Sequence, residues 1–272
     1  MYLFGALIFK GFVMKKVLFS LLSIGLGFTF AGHAQAAGIP HFINYFEITA
    51  HQLGMESALS PAVGALFVTL ILAILGLSFR SYVNSSLANP VPSDRFGLVV
   101  FIELIAGFVT DLTKDLIGTS YKTFLPLVGT LFFFILFNNL LGLVPGFPPA
   151  TESMSTNLAM GVIVFFTYNI FGIKAQGIKS YLAHFGGPVW WLFPVMFVIE
   201  LISHSFRPVS LSLRLMGNIF GDHMLVGVFT GLTYVVVPSL LMFFGLLVAF
   251  VQSFIFTLLS AIYISMAVSH DH

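Results

Sequence analysis

The fold is decided by residues 188–230, PVWWLFPVMFVIELISHSFRPVSLSLRLMGNIFGDHMLVGVFT. No polar loop lies within this stretch, so the chain has no place to turn. As a helix, these about 43 residues would be about 65 Å long, roughly twice the thickness of a bilayer core. A second apolar run, 238–268, would measure about 46 Å. The two runs predict a hairpin of two long, strongly tilted membrane helices, with the tilt set by packing against a partner.

The composition of the whole chain supports a membrane protein. Of its 272 residues, 58% are hydrophobic and only 8% are charged, whereas soluble domains carry about 25% charged residues. The mean hydropathy of +1.03 leaves too little polar surface to cover a soluble core. We therefore predict an all-α, polytopic helical bundle that ends in the tilted hairpin. No internal repeat is visible, so the sequence does not favour an inverted-repeat transporter.

Three shorter spans precede the hairpin, at about 61–79, 124–144 and 155–173. Between the first two, charged residues recur at helical spacing over 96–118, which predicts an amphipathic helix lying in the membrane interface. Four basic residues fall within 80–122, and this predicts that the segment is cytoplasmic. Continuing the crossings from there places the C-terminus in the cytoplasm as well.

The amino terminus has the pattern of a secretory signal peptide. Two lysines follow Met14, an apolar run extends over 17–30, and the small residues of Ala34-Gln35-Ala36 form a cleavage pattern. Residues 1–36 are therefore expected to be a leader, with the true start at Met14, and 37–272 a single membrane domain with its N-terminus outside. The alternative is an uncleaved first transmembrane helix. In both cases the following chain emerges on the outer side.

A polar stripe runs along the first helix of the predicted hairpin. Its residues fall at steps of four, three, seven and four, which keep them near one helical face: Glu200, His204, Arg207, Arg214 and Asn218. Ser210 lies beside this stripe, Asp222 lies one turn further, and His223 points elsewhere. A charge in the middle of a bilayer costs about 2.5–3.5 kcal/mol or more. Acid, imidazole, hydroxyl and amide groups in such a row predict a hydrated proton path.

Arg214 differs from the other members of the stripe because a guanidinium group does not deprotonate in proteins. It therefore cannot relay a proton, but it can repel positive charge and hold a carboxylate in its ionised form. Neither Glu200 nor Asp222 is close enough in sequence to be an obvious partner, so we expect a carboxylate from another subunit. Gln252, the longest polar side chain in the middle of the last helix, is a candidate to face Arg214 across the hairpin.

Each of these residues also has a structural interpretation. Arg207 can be an anchor that reaches the membrane surface, and Glu200 can pair with Arg207 seven residues away. Asp222 can cap a helix end, and Arg214 itself can be structural. The Asn138-Asn139 pair is interpreted as satisfying a helix end or a helix contact.

Several functional classes find no support in the sequence. The chain has no cysteine, which excludes disulfides, thiolate chemistry and iron–sulfur ligation. It contains no phosphate-binding loop, no nucleophile–base arrangement and no metal-ligand spacing. No basic run is longer than Lys15-Lys16, so nucleic acid is not an expected partner. We predict no catalytic residue, metal or cofactor, and the lipid bilayer as surroundings.

Four segments resemble one family. The first, residues 207–218 with the sequence RPVSLSLRLMGN, resembles the signature of subunit a of the rotary F-type ATP synthase of bacteria. QSFIF, residues 252–256, resembles the family's final helix, and NNLLGLVP and PPAT, residues 138–145 and 148–151, resemble its hairpin region. The resemblance covers roughly residues 40–272.

The resemblance implies a stator subunit, not an enzyme on its own, in the bacterial inner membrane beside a rotating ring of c subunits. Two offset half-channels would lead protons to and from a carboxylate on each c subunit. Arg214 would be the gate between them, and Glu200 an acid of the cytoplasmic half-channel. The outer half or the surroundings of the arginine would include Asn218, His223 and Gln252. Further implied partners are b-type peripheral stalk subunits and the remaining ATP synthase subunits.

The chain departs from the family pattern at the outer end. Where this chain has His223, many bacterial members of the family carry Glu, paired with His or Glu on the last helix. Here the facing position is Gly245, and Asp222 replaces a usual small residue. This suggests the hypothesis that Asp222 is the outer half-channel acid and His223 its relay. Whether the transported ion is H⁺ or Na⁺ depends on the c subunit's site.

Two other functions remain as alternatives. A stand-alone proton or cation channel or transporter would conduct selectively without the c ring. A structural anchor of a membrane complex would keep its function when Arg214 is replaced by Ala.

Overall fold

The computed structural model describes residues 44–52, 54, 56, 59–86, 98–178, 181, 193–233 and 236–268. Over these ranges the chain forms helices and no strand. The helices are α1 Tyr45–Gln52, α2 Ser60–Ser86, α3 Leu98–Ile117, α4 Tyr121–Gly142, α5 Met154–Gln176, α6 Phe193–Leu232 and α7 Val236–Val268. A 3₁₀ turn, Gly118–Ser120, joins α3 to α4, and a second one, Ala150–Glu152, lies between α4 and α5. We call Ala150–Glu152 the outer turn, because the crossings predicted from the sequence place it on the outer side of the membrane. The predicted leader 1–36 lies outside the described residues.

Four stretches of the described chain are long and apolar enough to cross a membrane. They are Ser60–Phe79, Val100–Gly142, Met154–Gln176 and Val236–Val268. Together with the helical content, these stretches confirm the predicted fold class, a polytopic helical membrane protein. The spans expected at 61–79, 124–144 and 155–173 fall on α2, α4 and α5.

The two C-terminal helices are as long as the sequence predicts. α6 has 40 residues and α7 has 33, or about 60 Å and 50 Å at 1.5 Å per residue. Pro208 lies inside α6 without ending it, and the Ser212 hydroxyl donates a hydrogen bond to the Pro208 carbonyl, at 2.7 Å. Both helices exceed the roughly 20 residues that a perpendicular crossing requires.

The buried core is centred on α4. This helix is apolar around its whole circumference, which is the pattern of a helix surrounded by others. Its middle turns are almost fully buried at Val128, Leu131, Phe132, Phe134 and Ile135. α3, α7 and α2 pack around it, and α5 lies between α6 and α7. This arrangement leaves one side of the α6–α7 hairpin without cover from the described chain.

A close approach between α5 and α6 depends on Gly161. A Cβ atom at this position would lie 2.8 Å from the Pro208 carbonyl oxygen and 3.0 Å from the Ser212 hydroxyl. Small residues at helix contacts let backbones come together in membrane proteins. Gly161 therefore fixes α6, the helix that carries the polar stripe, against the bundle.

α3 is the helix that the sequence predicts as amphipathic over 96–118. Its buried side, formed by Ile105, Val109 and Thr113, packs against α4 and α7. The Phe108 ring lies 5.7 Å from that of Phe254 on α7. The opposite side is exposed and carries its charged residues: Glu103, Asp111, Lys114 and Asp115. The location of α3 in the membrane interface stays a prediction.

Candidate functional site

The polar stripe of α6 runs along the border between a buried and an exposed side of the helix. Three of its members are exposed: Ser210, Arg214 and Asn218. The residue that follows each of them is buried: Leu211, Leu215 and Ile219. These three apolar residues belong to the core formed with α4, α5 and α7. The stripe therefore presents its central arginine away from the chain's own bundle.

Arg214 has neither an ion pair nor a hydrogen bond with any described residue. Gln252, the expected neighbour across the hairpin, is buried on α7 with 9% of its surface exposed. No hydrogen bond joins the two side chains within the described ranges. The guanidinium group is thus available to a carboxylate of another molecule, and in an apolar membrane such a charge requires water or a counter-charge.

At one end of the stripe, Glu200 and Arg207 form an ion pair. Arg207 Nη2 lies 3.5 Å from Glu200 Oε1, and the guanidinium lies 5.1 Å from the centre of the Tyr263 ring on α7. The structural interpretation of these two residues as a pair is confirmed. The Glu200 side chain nevertheless keeps 42% of its surface exposed, so pairing does not enclose it within the chain.

His204 turns away from the exposed side of the stripe. It is only 7% exposed, and its Nε2 lies 3.0 Å from Asn169 Oδ1 on α5. The rings of Phe165 and Tyr168 meet it edge-on, at 5.4 and 5.0 Å. The reason is helical geometry, since at about 100° per residue His204 lies about 80° around the helix from Arg214. His204 therefore belongs to the α5–α6 contact.

Asn169 Oδ1 also accepts a hydrogen bond from the Tyr181 hydroxyl, at 2.9 Å. Burial raises the pKa of the Tyr181 phenol, which keeps its proton in place for this bond. An amide oxygen only accepts hydrogen bonds, so His204 contributes an Nε2–H to the same atom. Asn169 thus joins α6 to the segment that follows α5.

At the other end of the stripe, His223 contacts an acid that lies outside the α6–α7 hairpin. His223 Nδ1 lies 3.1 Å from Oε2 of Glu152 in the outer turn, and both side chains are a little over one quarter exposed. Asp222, the neighbouring carboxylate on α6, is half-buried. Glu152 has one signal in the sequence, because it is the only charged residue between 145 and 156. Which group it meets depends on tertiary structure.

The Asn138-Asn139 pair positions the outer turn. Asn138 Oδ1 accepts a hydrogen bond from the Ala150 backbone N–H, at 3.3 Å. Asn139 Oδ1 accepts one from the Thr151 hydroxyl, at 2.8 Å, and Asn139 Nδ2 donates to the Ala249 carbonyl on α7, at 3.4 Å. The interpretation of the pair as a helix contact is confirmed. These bonds join α4 to the outer turn and to α7.

Polar atoms beside the outer turn are also suited to bind water. Asn157 Nδ2 donates to the Thr151 carbonyl, at 2.6 Å. Its Oδ1 and the Thr156 hydroxyl are buried without a hydrogen-bond partner among the described residues. Buried polar atoms of this kind are commonly satisfied by ordered water. The bundle therefore has a polar interior beside this turn, next to Glu152.

The chemistry available at these positions is proton exchange at carboxyl and imidazole groups, around one fixed positive charge. Among the described residues, no three His, Asp or Glu side chains come together in a way that could hold a metal ion.

Comparison with known proteins places these features in a family. The family model described as ATP synthase A chain matches residues 63–265, which include α3 to α6 and most of α2 and α7. The ATP synthase subunit a of Bdellovibrio bacteriovorus is 43% identical over 211 residues, 77% of this chain and 92% of that protein. That of Citrifermentans bemidjiense is 42% identical over 231 residues, 85% of this chain and 97% of that protein. The ATP synthase subunit a of Geobacter sulfurreducens is 38% identical over 231 residues, which are also 85% of this chain and 97% of that protein.

Proposed function

The chain belongs to the ATP synthase A chain family, and from this we propose that it forms two half-channels to a carboxylate on a ring of c subunits, with Arg214 as the gate between them. As a member of this family it is a membrane-embedded, proton-translocating component of an ATP synthase, and its partners are other ATP synthase subunits. It is not an enzyme on its own, because it acts as one component of that complex.

The observation that carries the proposal is the position of Arg214. The residue is exposed on the side of α6 that the bundle leaves uncovered, and no described residue pairs with it. A facing carboxylate on a c subunit would compensate the guanidinium and be held ionised by it. Because the guanidinium keeps its proton, it also stops a proton from passing directly along the stripe. Ions would then have to travel on the moving carboxylate.

The titratable groups of α6 lie on either side of this arginine. Glu200 and Asp222 are about 33 Å apart along the helix axis, toward opposite ends of α6. Arg214 lies about 21 Å from Glu200 and about 12 Å from Asp222 on the same scale. This spacing supports one half-channel at each end. Glu200 and the buried His204 would serve the inner end.

The other predicted residues belong to the outer half-channel and to the gate. Asn218 lies one turn beyond Arg214 on the exposed side, and Ser210 lies one turn before it. Asp222 and His223 follow at the outer end, where Asp222 is proposed as the acid and His223 as the relay. Gln252, buried on α7, would complete the polar surroundings of the gate from across the hairpin.

We place the c ring against the uncovered side of α6. Its exposed residues are mostly large and apolar: Ile199, Ile202, Phe206, Leu213 and Val228. Such a surface can lie against lipid or against the helices of another membrane subunit, and the Arg214 charge on the same side favours the subunit. The b-type peripheral stalk is proposed as a second neighbour. The complex would lie in the bacterial inner membrane, with the mature N-terminus outside after removal of the leader and the C-terminus in the cytoplasm.

The test is proton conduction with and without the c ring. Liposomes holding the purified chain alone are compared with liposomes holding the membrane sector, both under an imposed membrane potential. We expect conduction only when the c ring is present, because the proton must transfer to its carboxylate. Selective conduction by the chain alone would contradict the proposal and support the stand-alone channel.

A further inference from the structure

We propose that Glu152 is the outer proton-exchange partner of His223, so that protons enter and leave the outer half-channel at the outer turn, Ala150–Glu152. The inference rests on the proposed function and adds to it a residue outside the α6–α7 hairpin. It concerns a pair that is 71 positions apart in the sequence and that folding brings to 3.1 Å.

The geometry of the pair suits exchange with water. Glu152 Oε2 lies 3.1 Å from His223 Nδ1, within hydrogen-bond reach. The exposed fraction is 27% for Glu152 and 28% for His223. The two groups are thus held in place and each keeps a side that the chain itself does not cover. Carboxyl and imidazole groups both give and accept protons within hydrogen-bond reach, so the pair has the chemistry for proton exchange.

The proton transfer balances without any further reactant. A proton from the outer solution binds the Glu152 carboxylate, and the resulting carboxylic acid gives it to the unprotonated Nδ1 of His223. This step restores the carboxylate and forms an imidazolium. The imidazolium becomes neutral again by giving one N–H proton to the next acceptor inward, and Asp222 is the neighbouring carboxylate on α6. The reverse order of steps releases a proton to the outside.

The outer turn is fixed in place, so the contact does not depend on a loose loop. The Glu152 backbone N–H donates to the Pro149 carbonyl, at 3.1 Å. The two residues before Glu152 are bonded to Asn138 and Asn139 on α4. The carboxylate therefore approaches α6 from a turn whose backbone is tied to the core helix.

Gly142 keeps space for the other side of the imidazole. A Cβ atom at Gly142 would lie 3.2 Å from His223 Nε2 and 2.8 Å from Pro149 Cγ. The absence of a side chain here lets the ring fit between α4 and the outer turn with Nδ1 toward Glu152. Three elements thus position the pair: the end of α4, the outer turn and α6.

The experiment uses the complete ATP synthase reconstituted in liposomes and compares three variants. Two are the single substitutions Glu152→Gln and Glu152→Asp. The third exchanges the pair, with Glu152→His and His223→Glu in the same protein. ATP-driven proton pumping is measured per ATP hydrolysed. Glu47→Gln is the matched control, because Glu47 is an exposed acid on α1 that is not part of the pair. Arg214→Ala is measured beside them to test the proposed function separately.

We expect Glu152→Gln to lower pumping about tenfold or more, since an amide cannot exchange a proton as a carboxyl group does. Glu152→Asp should keep part of the rate, the exchanged pair should pump better than Glu152→Gln, and Glu47→Gln should pump like the parent. Parental pumping by Glu152→Gln would overturn the inference, and so would an exchanged pair no better than Glu152→Gln. If pumping survives Arg214→Ala, the proposed function fails instead.

Discussion

Single side chains on α6 have different surroundings according to the direction in which they point. Arg214 faces outward without a described partner, His204 faces α5, and His223 faces the outer turn. Each residue turns the helix by about 100°, so two positions whose spacing is close to whole turns can still differ widely in their angle around the helix axis. The function of a polar residue on this helix therefore depends on its angle as well as on its depth.

The pair formed by Glu200 and Arg207 allows a test that separates structure from proton transfer. A partly exposed ion pair contributes only about 0–1 kcal/mol, so the loss of either partner should affect stability little and equally. If Glu200 is an acid of the inner half-channel, Glu200→Gln should lower ATP-driven proton pumping severalfold, while Arg207→Gln should retain most of it. Equal losses in the two variants would show that the pair is structural.

The residue-level chemistry was only partly predictable from the sequence. Charged residues in an apolar helix are conspicuous, so the stripe from Glu200 to His223 could be found by spacing. The contact between His223 and Glu152 could not, because it depends on how the end of α4 and the outer turn fold back onto α6. The burial of His204 was missed because the stripe was treated as one face, although His204 and Arg214 differ by about 80°.

At the scale of elements, the packing of α6 depends on a small residue of α5. The Gly161 position leaves no space for a side chain, since the nearest neighbour is backbone, the Pro208 carbonyl oxygen. Backbone in the middle of a 40-residue helix cannot move locally as a flexible side chain can. The place where α6 crosses α5 is therefore sensitive to added volume.

Gly161→Ala should destabilise the assembled complex by about 1–3 kcal/mol, the usual cost of forcing a methyl group into a packed contact. The matched control is Gly129→Ala on α4, where a Cβ atom meets nothing within 4 Å. The midpoint of thermal unfolding in detergent checks both variants. Equal midpoints for the two would contradict the close approach of α5 and α6.

The existence and type of the elements followed well from the sequence, because length and apolar runs determine membrane helices directly. The two long helices end within a few residues of the predicted bounds: 188–230 became Phe193–Leu232, and 238–268 became Val236–Val268. The surroundings of α3 were harder to predict. Its amphipathic pattern predicts one polar side, and only the fold shows that the other side packs against α4 and α7.

Considered as a whole molecule, the chain is a bundle with one incomplete side. α4 is enclosed by its neighbours, whereas α6 keeps a long apolar side and the Arg214 guanidinium without cover from the described residues. A membrane protein can place apolar side chains against lipid, but an uncompensated arginine requires water or a counter-charge. A second membrane subunit that carries a carboxylate would supply this counter-charge, which agrees with membership of the ATP synthase A chain family.

The most direct test of the account compares Arg214→Ala with the parent in the assembled ATP synthase, measuring ATP hydrolysis and ATP-driven proton pumping in the same liposomes. Lys114→Ala, which removes an exposed cation from α3, is the matched control. We predict that Arg214→Ala abolishes pumping while the complex still assembles and hydrolyses ATP, and that Lys114→Ala pumps like the parent. Pumping by Arg214→Ala at the parental rate would show that the arginine is structural and that the proton path proposed along α6 is wrong.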